Sequence, residues 1–293
     1  MSDQLIKALA YDDQIRIFVV DATQTVSQAQ IYHDTWHTAT AALGRSLVAT
    51  LLLAANLKGE DKLGVQIKGS GPLGMLVTDG NSQGEVRGYV NNPHVALELN
   101  SEGKLDVAAA VGLPGLLQVR RNIAGGDPFT GQVSLISGEL GEDFTYYMAV
   151  SEQTPSAFGL SVLINPDEKV LSAGGFMIQV LPGASEETVD ELEKRIASLG
   201  KLSDLIDQSQ GLSYLLEKLV GEGNYRVIAT QQVAYSCPCS KDSFTESMTV
   251  ISPSEIMEMI KEDHGAEVCC HFCNKKYFFN EEDLKQILER QAE

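Results

Sequence analysis

The 293-residue chain is 43% hydrophobic and 21% charged, the balance of a globular protein with room for one large domain and a small one. Its net charge of −18, with basic runs no longer than the pairs Arg120-Arg121 and Lys275-Lys276, argues against nucleic acid as a partner, because a phosphate backbone would be repelled. No basic-then-apolar leader opens the sequence, and the apolar stretch Leu47–Ala55 falls well short of the roughly 20 residues that span a bilayer. A soluble, cytoplasmic protein with no membrane partner is expected.

Three regions follow one another. In the first, residues 1–181, Ile15, Ile17 and Val19 alternate with Arg16 and Phe18 in an early strand, and the Ala- and Leu-rich stretch Thr38–Leu57 predicts a helix. Strand-like runs come next, set apart by Gly, Asn and Asp: Leu63–Lys68, Gly74–Asp79, Glu85–Val90, Leu116–Arg120 and Gly131–Ile136. Asp143–Ser151 reads as a helix. Ala157–Leu163 and Lys169–Val180 read as a closing pair of strands around the turn Asn165-Pro166-Asp167. Grouped strands that outnumber the helices predict an α+β fold rather than a repeating βαβ sheet.

The second region, residues 182–235, changes character. Val189, Leu192, Ile196 and Leu199 fall on one helical face with Gly200 as a stop, and Leu202, Leu205 and Ile206 continue the pattern. Leu212, Leu215, Leu216 and Leu219 form a second stripe that Gly221 ends. This reads as an amphipathic helical linker. Helices so short are marginal alone, so their order depends on what they pack against.

The third region, residues 236–293, holds all five cysteines of the chain. Ser252-Pro253-Ser254-Glu255 is a capping box with proline at the first helical position, and Gly265 closes that helix. Asn280-Glu281-Glu282-Asp283 starts a second helix, with Leu284, Ile287 and Leu288 on one face.

Between these signals lie Cys237-Pro238-Cys239, then 30 residues, then Cys270-His271-Phe272-Cys273. Zinc takes four soft ligands in a tetrahedron, which two close cysteine pairs supply. Residue types alone leave three chemistries open: a structural zinc site, a switchable one, and a thiol–disulfide oxidoreductase using Cys270 and Cys273. The thiolates that bind zinc are also oxidisable. Each pair is close enough in sequence for its own disulfide. A Cys237–Cys239 bridge would be strained, hence labile. Cys269 is the extra thiol, and His264 and His271 read as surface residues.

Other motifs carry less. Gly69-Ser70-Gly71-Pro72-Leu73-Gly74 matches a dinucleotide loop but is followed by strand-like residues, so it reads as a hairpin turn. His33 and His37 bracket a helix junction without a third ligand. No nucleophile elbow, phosphate loop or catalytic carboxylate pair is present.

The CxC and CxxC pairs, with YSCPCS and VCCHFCNKKYFF around them, resemble the redox-regulated heat-shock protein 33 family, the 33-kDa chaperonins. TWHTATAALGR at Thr35–Arg45, SGELGEDFTYY at Ser137–Tyr147 and AGGFMIQVLPG at Ala173–Gly183 extend the resemblance over nearly the whole chain. Cys269 lies outside the family pattern. The resemblance implies a holdase that works without ATP and is not an enzyme. Its reduced form would be inactive, with one zinc per chain on Cys237, Cys239, Cys270 and Cys273. Oxidation of those four to two disulfides would release zinc, unfold the C-terminal domain and linker, and yield a homodimer that binds unfolding client proteins under oxidative stress.

Overall fold

The computed structural model describes residues 2–206 and 211–291, so residues 207–210 of the expected linker and the chain's extreme ends lie outside the described residues. The protein divides into two compact units, Met1–Ser236 and Cys237–Glu293.

The first unit runs β1 (Gln4–Ala10), β2 (Ile15–Asp21), α1 (Thr23–His33), α2 (His37–Ala54), β3 (Lys62–Lys68), β4 (Met75–Asn81) and β5 (Glu85–Val90). It continues through α3 (Val107–Val111), β6 (Leu116–Asn122), β7 (Phe129–Ser134), α4 (Gly141–Val150), β8 (Ser156–Ile164) and β9 (Val170–Val180). Three helices, α5 (Glu186–Ser198), α6 (Leu202–Leu205) and α7 (Gly211–Val220), lead to β10 (Tyr225–Gln232) and β11 (Ala234–Tyr235). One sheet has the order β10-β1-β2-β9-β8 and is antiparallel throughout. The other has the order β11-β5-β4-β3-β6-β7, in which only the short β11 runs parallel to its neighbour. The grouped strands make the α+β class expected from the sequence.

Helix α2 is the axis of the main core. All of it is buried except His37 and Arg45, which is why its sequence is apolar nearly all round. Its polar side chains have partners: Ser46 and Thr50 hydroxyls lie 3.1 and 2.7 Å from that of Thr78, and Thr38 accepts from the amide of Leu97. At Gly44 a side chain would meet Val26 at 2.7 Å and Val162 at 2.9 Å, so only glycine lets α2 approach its neighbours this closely.

The first sheet is apolar on both faces. Along β2, Phe18 and Val20 join the core around α2, while Ile15, Ile17 and Val19 face the opposite way. Period-two alternation puts successive side chains on opposite faces, so the second face needs its own cover. The predicted linker helices supply it: Leu192, Ile206, Leu212, Leu215, Leu216, Leu219 and Val220 are buried there against Ile6, Ile15, Ile17, Val19 and Ile178.

Two details differ from the helical reading. On α5 the inward position is Thr188 rather than Val189, which stays half-buried. The cap explains this, since the hydroxyl of Ser185 accepts from the Thr188 amide and lies 3.0 Å from the Thr188 hydroxyl. The region also ends as a strand rather than a helix: β10 pairs with β1 at the sheet edge, its exposed Val227 and Ile228 erasing the alternation that marks half-buried strands.

Just before the first cysteine the chain is tied to the core. Val233, Ala234 and Ser236 donate their amides to the carbonyls of Asp3, Gly84 and Val86. The Tyr235 hydroxyl donates to the Gly88 carbonyl (2.8 Å) and accepts from its amide (3.2 Å), and the ring stacks on Tyr32 with centroids 5.3 Å apart.

The second unit contains α8 (Lys241–Met248), α9 (Pro253–Glu262), a hairpin of β12 (Gly265–Cys269) and β13 (Lys276–Asn280), and α10 (Glu281–Gln291). Helix α9 begins at the predicted capping box, with Ser252 and Glu255 bonded reciprocally. Asn280 and Asp283 do the same for α10. The core consists of Met248, Ile256, Ile260, Phe279, Leu284 and Ile287. Among the described residues of the whole chain, no helix is long and apolar enough to cross a membrane.

Replacing Tyr235 by Phe removes both bonds to Gly88 and keeps the ring. The expected loss is about 1–3 kcal/mol in the local opening of β11, read as faster hydrogen exchange at residues 233–236 with exchange in α2 unchanged.

Candidate metal centre

Two short segments of the second unit form the site. Cys237-Pro238-Cys239 runs into Ser240, the cap of α8, whose hydroxyl accepts from the Ser243 amide. Cys270 follows β12 and Cys273 lies in the turn to β13. That turn closes on itself: the amides of Cys273 and Asn274 donate to the Cys270 carbonyl, and the Cys270 amide donates to that of Lys275. Asn274 takes the left-handed conformation at φ 55°, one that Asn tolerates better than most residues.

The four sulfurs of Cys237, Cys239, Cys270 and Cys273 all lie within 4.8 Å of one another. Across the two arms, Cys237 and Cys270 are 3.6 Å apart and Cys239 and Cys273 are 3.4 Å apart. A tetrahedron of zinc–sulfur bonds would set sulfurs about 3.8 Å apart, so the group has the dimensions to hold such an ion. The soft donor set is also the right one.

Electrostatics point the same way. Burial pushes the thiols of Cys270 and Cys273 up, with the neighbouring sulfurs adding to the effect. Burial acts in the same direction on Cys239, but hydrogen bonding from Tyr277 and the other three cysteines outweighs it and brings this thiol down to about 7. Without a cation the shared protons and burial work against ionising Cys270 and Cys273. A divalent cation makes four thiolates compatible, because coordination deprotonates the sulfur outright.

Cys269 stands apart. It is exposed, sits opposite Lys276 in the hairpin, and is not in the cluster, as divergence of neighbouring side chains on a strand requires. His264 is 2.9 Å from Glu281, and neither it nor His271 joins the sulfurs. His33 and His37 do not converge: His33 ends α1 and meets the Tyr235 hydroxyl, whereas His37 opens α2 and pairs with Glu168. The segment 69–74 joins β3 to β4 as a turn, and the Gly71 amide donates to the Val111 carbonyl, an approach closed to any larger residue at Gly69 or Gly71.

Sequence reasoning missed one neighbour of the site. The Tyr277 hydroxyl donates to the Cys239 carbonyl at 2.9 Å and lies 3.3 Å from the Cys239 sulfur. The aromatic run Tyr277-Phe278-Phe279 was the available signal, but the register that turns Tyr277 toward Cys239 exists only in the folded hairpin.

The family model described as Hsp33 protein matches residues 3–280. The chain belongs to the Hsp33 family. A 33 kDa chaperonin of Enterococcus faecalis is 48% identical over 98% of this chain and 96% of its own length. One of Levilactobacillus brevis is 50% identical over the full length of both. The crystal structure of a 33 kDa chaperonin from Thermotoga maritima aligns with a TM-score of 0.91 at 36% identity, covering 100% of this chain and 99% of that one. Membership of the Hsp33 family makes the chain a chaperone rather than an enzyme, and removes the oxidoreductase reading of Cys270 and Cys273.

Exposure separates the five thiols. Brief treatment of the folded, reduced protein with iodoacetamide should modify Cys269 well before the other four, as read by peptide mass spectrometry. Earlier modification of Cys270, whose side chain is buried, would contradict that order.

Proposed function

We propose that this chaperone is an ATP-independent holdase switched by oxidation. In the reduced protein one zinc ion is bound by Cys237, Cys239, Cys270 and Cys273, and clients are not held. The observation that carries the reading is the convergence of four sulfurs in a unit with a very small core.

Energetics make that site a switch. A core of this size rarely supplies more than about 3–5 kcal/mol, whereas zinc binding to four-ligand modules contributes about 10–16 kcal/mol. Peroxide removes the metal by oxidising its ligands. For each disulfide, two thiolates give two electrons to one hydrogen peroxide, which takes up two protons and leaves as two waters. Two such steps consume all four ligands, free the zinc and leave the second unit without its main stabilising interaction.

Residues 182–235 act as the linker that answers this loss, and residues 236–293 as the redox domain. The cover α5–α7 lies over Ile15, Ile17, Val19 and Ile178. Once it lifts, a continuous apolar sheet face is available for unfolding proteins, and exposed patches of this kind mark binding surfaces. The same exposed face supports homodimer formation on oxidation. The setting is the cytoplasm, where thiols are held reduced until an oxidant arrives.

The test is a pair of samples, reduced with zinc and peroxide-treated, assayed for bound metal and for suppression of client aggregation. One zinc per chain and no protection are expected in the first, with no zinc and stoichiometric protection in the second. Cys273→Ser should weaken zinc binding by orders of magnitude. Tight zinc binding by that variant would remove Cys273 from the ligand set.

The cover can be loosened without oxidation. Truncating a buried leucine costs about 2–5 kcal/mol, so Leu192→Ser/Ile196→Ser should detach α5 and give protection in the reduced, zinc-loaded protein. An inactive variant whose linker amides exchange freely would show that release of the cover is not the activating step.

A further inference from the structure

The two cysteine arms are supported differently. On the CxxC arm the backbone provides the hydrogen bonds: the Cys270 sulfur receives the amide of Phe272 and shares that of Cys273 with its own carbonyl, and the Cys273 sulfur receives that of Lys275. The CxC arm is too short to fold into such a turn. Its middle residue is Pro238, which has no amide hydrogen to give. Beyond Cys239, the amide of Ser240 is taken by the Ser243 hydroxyl at 3.0 Å in the cap of α8.

On this arm a side chain from the hairpin reaches Cys239. In β13, Tyr277 and Phe279 turn inward while Phe278 between them is 69% exposed. The Tyr277 ring packs on Phe244 with centroids 5.2 Å apart. Its hydroxyl donates to the Cys239 carbonyl at 2.9 Å and lies 3.3 Å from the Cys239 sulfur.

We propose that Tyr277 is the positioning residue of the CxC arm, its hydroxyl holding the Cys239 backbone and sulfur in place for the metal from the core of the hairpin. The proposal rests on the zinc reading of the four cysteines. A ligated thiolate can only accept hydrogen bonds, so the single Tyr277 proton is shared between the Cys239 carbonyl at 2.9 Å and the sulfur at 3.3 Å, and in that position fixes the arm and stabilises the sulfur's charge. Partners of this kind typically alter metal affinity by about 10–100-fold when lost. Tyr277 also joins ligand and core in one side chain, so that zinc occupancy and packing of the second unit support each other.

Tyr277→Phe keeps the ring and removes the hydroxyl, whereas Phe244→Leu loosens the ring and keeps the hydroxyl. Full-length wild type and both variants would be titrated with zinc against a chromophoric chelator and with cobalt, whose sulfur-to-metal absorption reports ligand geometry. Tyr277→Phe should bind zinc about 10–100-fold more weakly, shift the cobalt absorption and release zinc faster under peroxide. Phe244→Leu should leave the cobalt spectrum as in wild type. Unchanged affinity and spectrum in Tyr277→Phe would overturn the role of Tyr277. Equal losses in the two variants would also overturn it, in favour of packing alone. Wild type that takes up neither metal would instead overturn the zinc reading, and this proposal with it.

Discussion

Four sulfurs held within 4.8 Å of one another cannot all be thiolates unless a cation lies among them. The rest of the second unit is arranged around that constraint. Its six buried core residues are too few to hold more than fifty residues together, and its three helices are well capped but short. Caps and pairs each contribute about a kilocalorie or less, so they select a conformation without securing it. Under the proposed switch, the fold of the unit is a consequence of the charge state of four atoms. Chemistry that converts thiolates to disulfides therefore acts on the fold directly.

The first unit has the opposite character. Its main core, built on α2 between two sheets, is large and has its buried hydroxyls satisfied. What is conditional there is the second face of the first sheet. Ile15, Ile17 and Val19 are as buried as any residue of the core, yet what buries them is a set of short helices from later in the chain. A sheet face of this composition is stable under a cover and adhesive without one. Under the proposed switch, the fold thus holds a binding surface for unfolded protein in a finished state, and regulation needs only to displace α5–α7.

Much of this was legible in the sequence. The cysteine spacing, the capping boxes at Ser252 and Asn280, and the leucine stripes of α5 and α7 all reflect local rules, in which residues three or four apart must meet. The double-sided burial of β2 was not, because the alternation of Ile15, Ile17 and Val19 marks one face, and only the fold shows Phe18 and Val20 buried on the other. Features that depend on contacts distant in the chain were not. Strand β10 shows no alternation because one edge strand exposes most of its side chains, and only its pairing with β1, some two hundred residues earlier, identifies it. Tyr277 looked like one aromatic among three. Its approach to Cys239 depends on the hairpin register, in which Tyr277 opposes Val268. Val189 was assigned inward because helical spacing allows either 188 or 189 to sit below Leu192, and the Ser185 cap decides in favour of Thr188.

The tether at β10 bears on how such a cover would be controlled. Strand β9 fixes one end of the cover and β10 the other, about 45 residues later. A segment closed at both ends stays near its docking face even when released. Its effective concentration there is on the order of millimolar, and the loop-closure term grows only slowly with length. A client present at far lower concentration competes poorly against so close a cover while the helices are folded. The cover yields only when its helices no longer form, because short amphipathic helices lose their binding face along with their order. Under the proposed switch, displacement by mass action alone is therefore ineffective, and a trigger that destabilises the helices is required. That is the kind of trigger an unfolding neighbour in the same chain supplies, through Ser236 directly into Cys237.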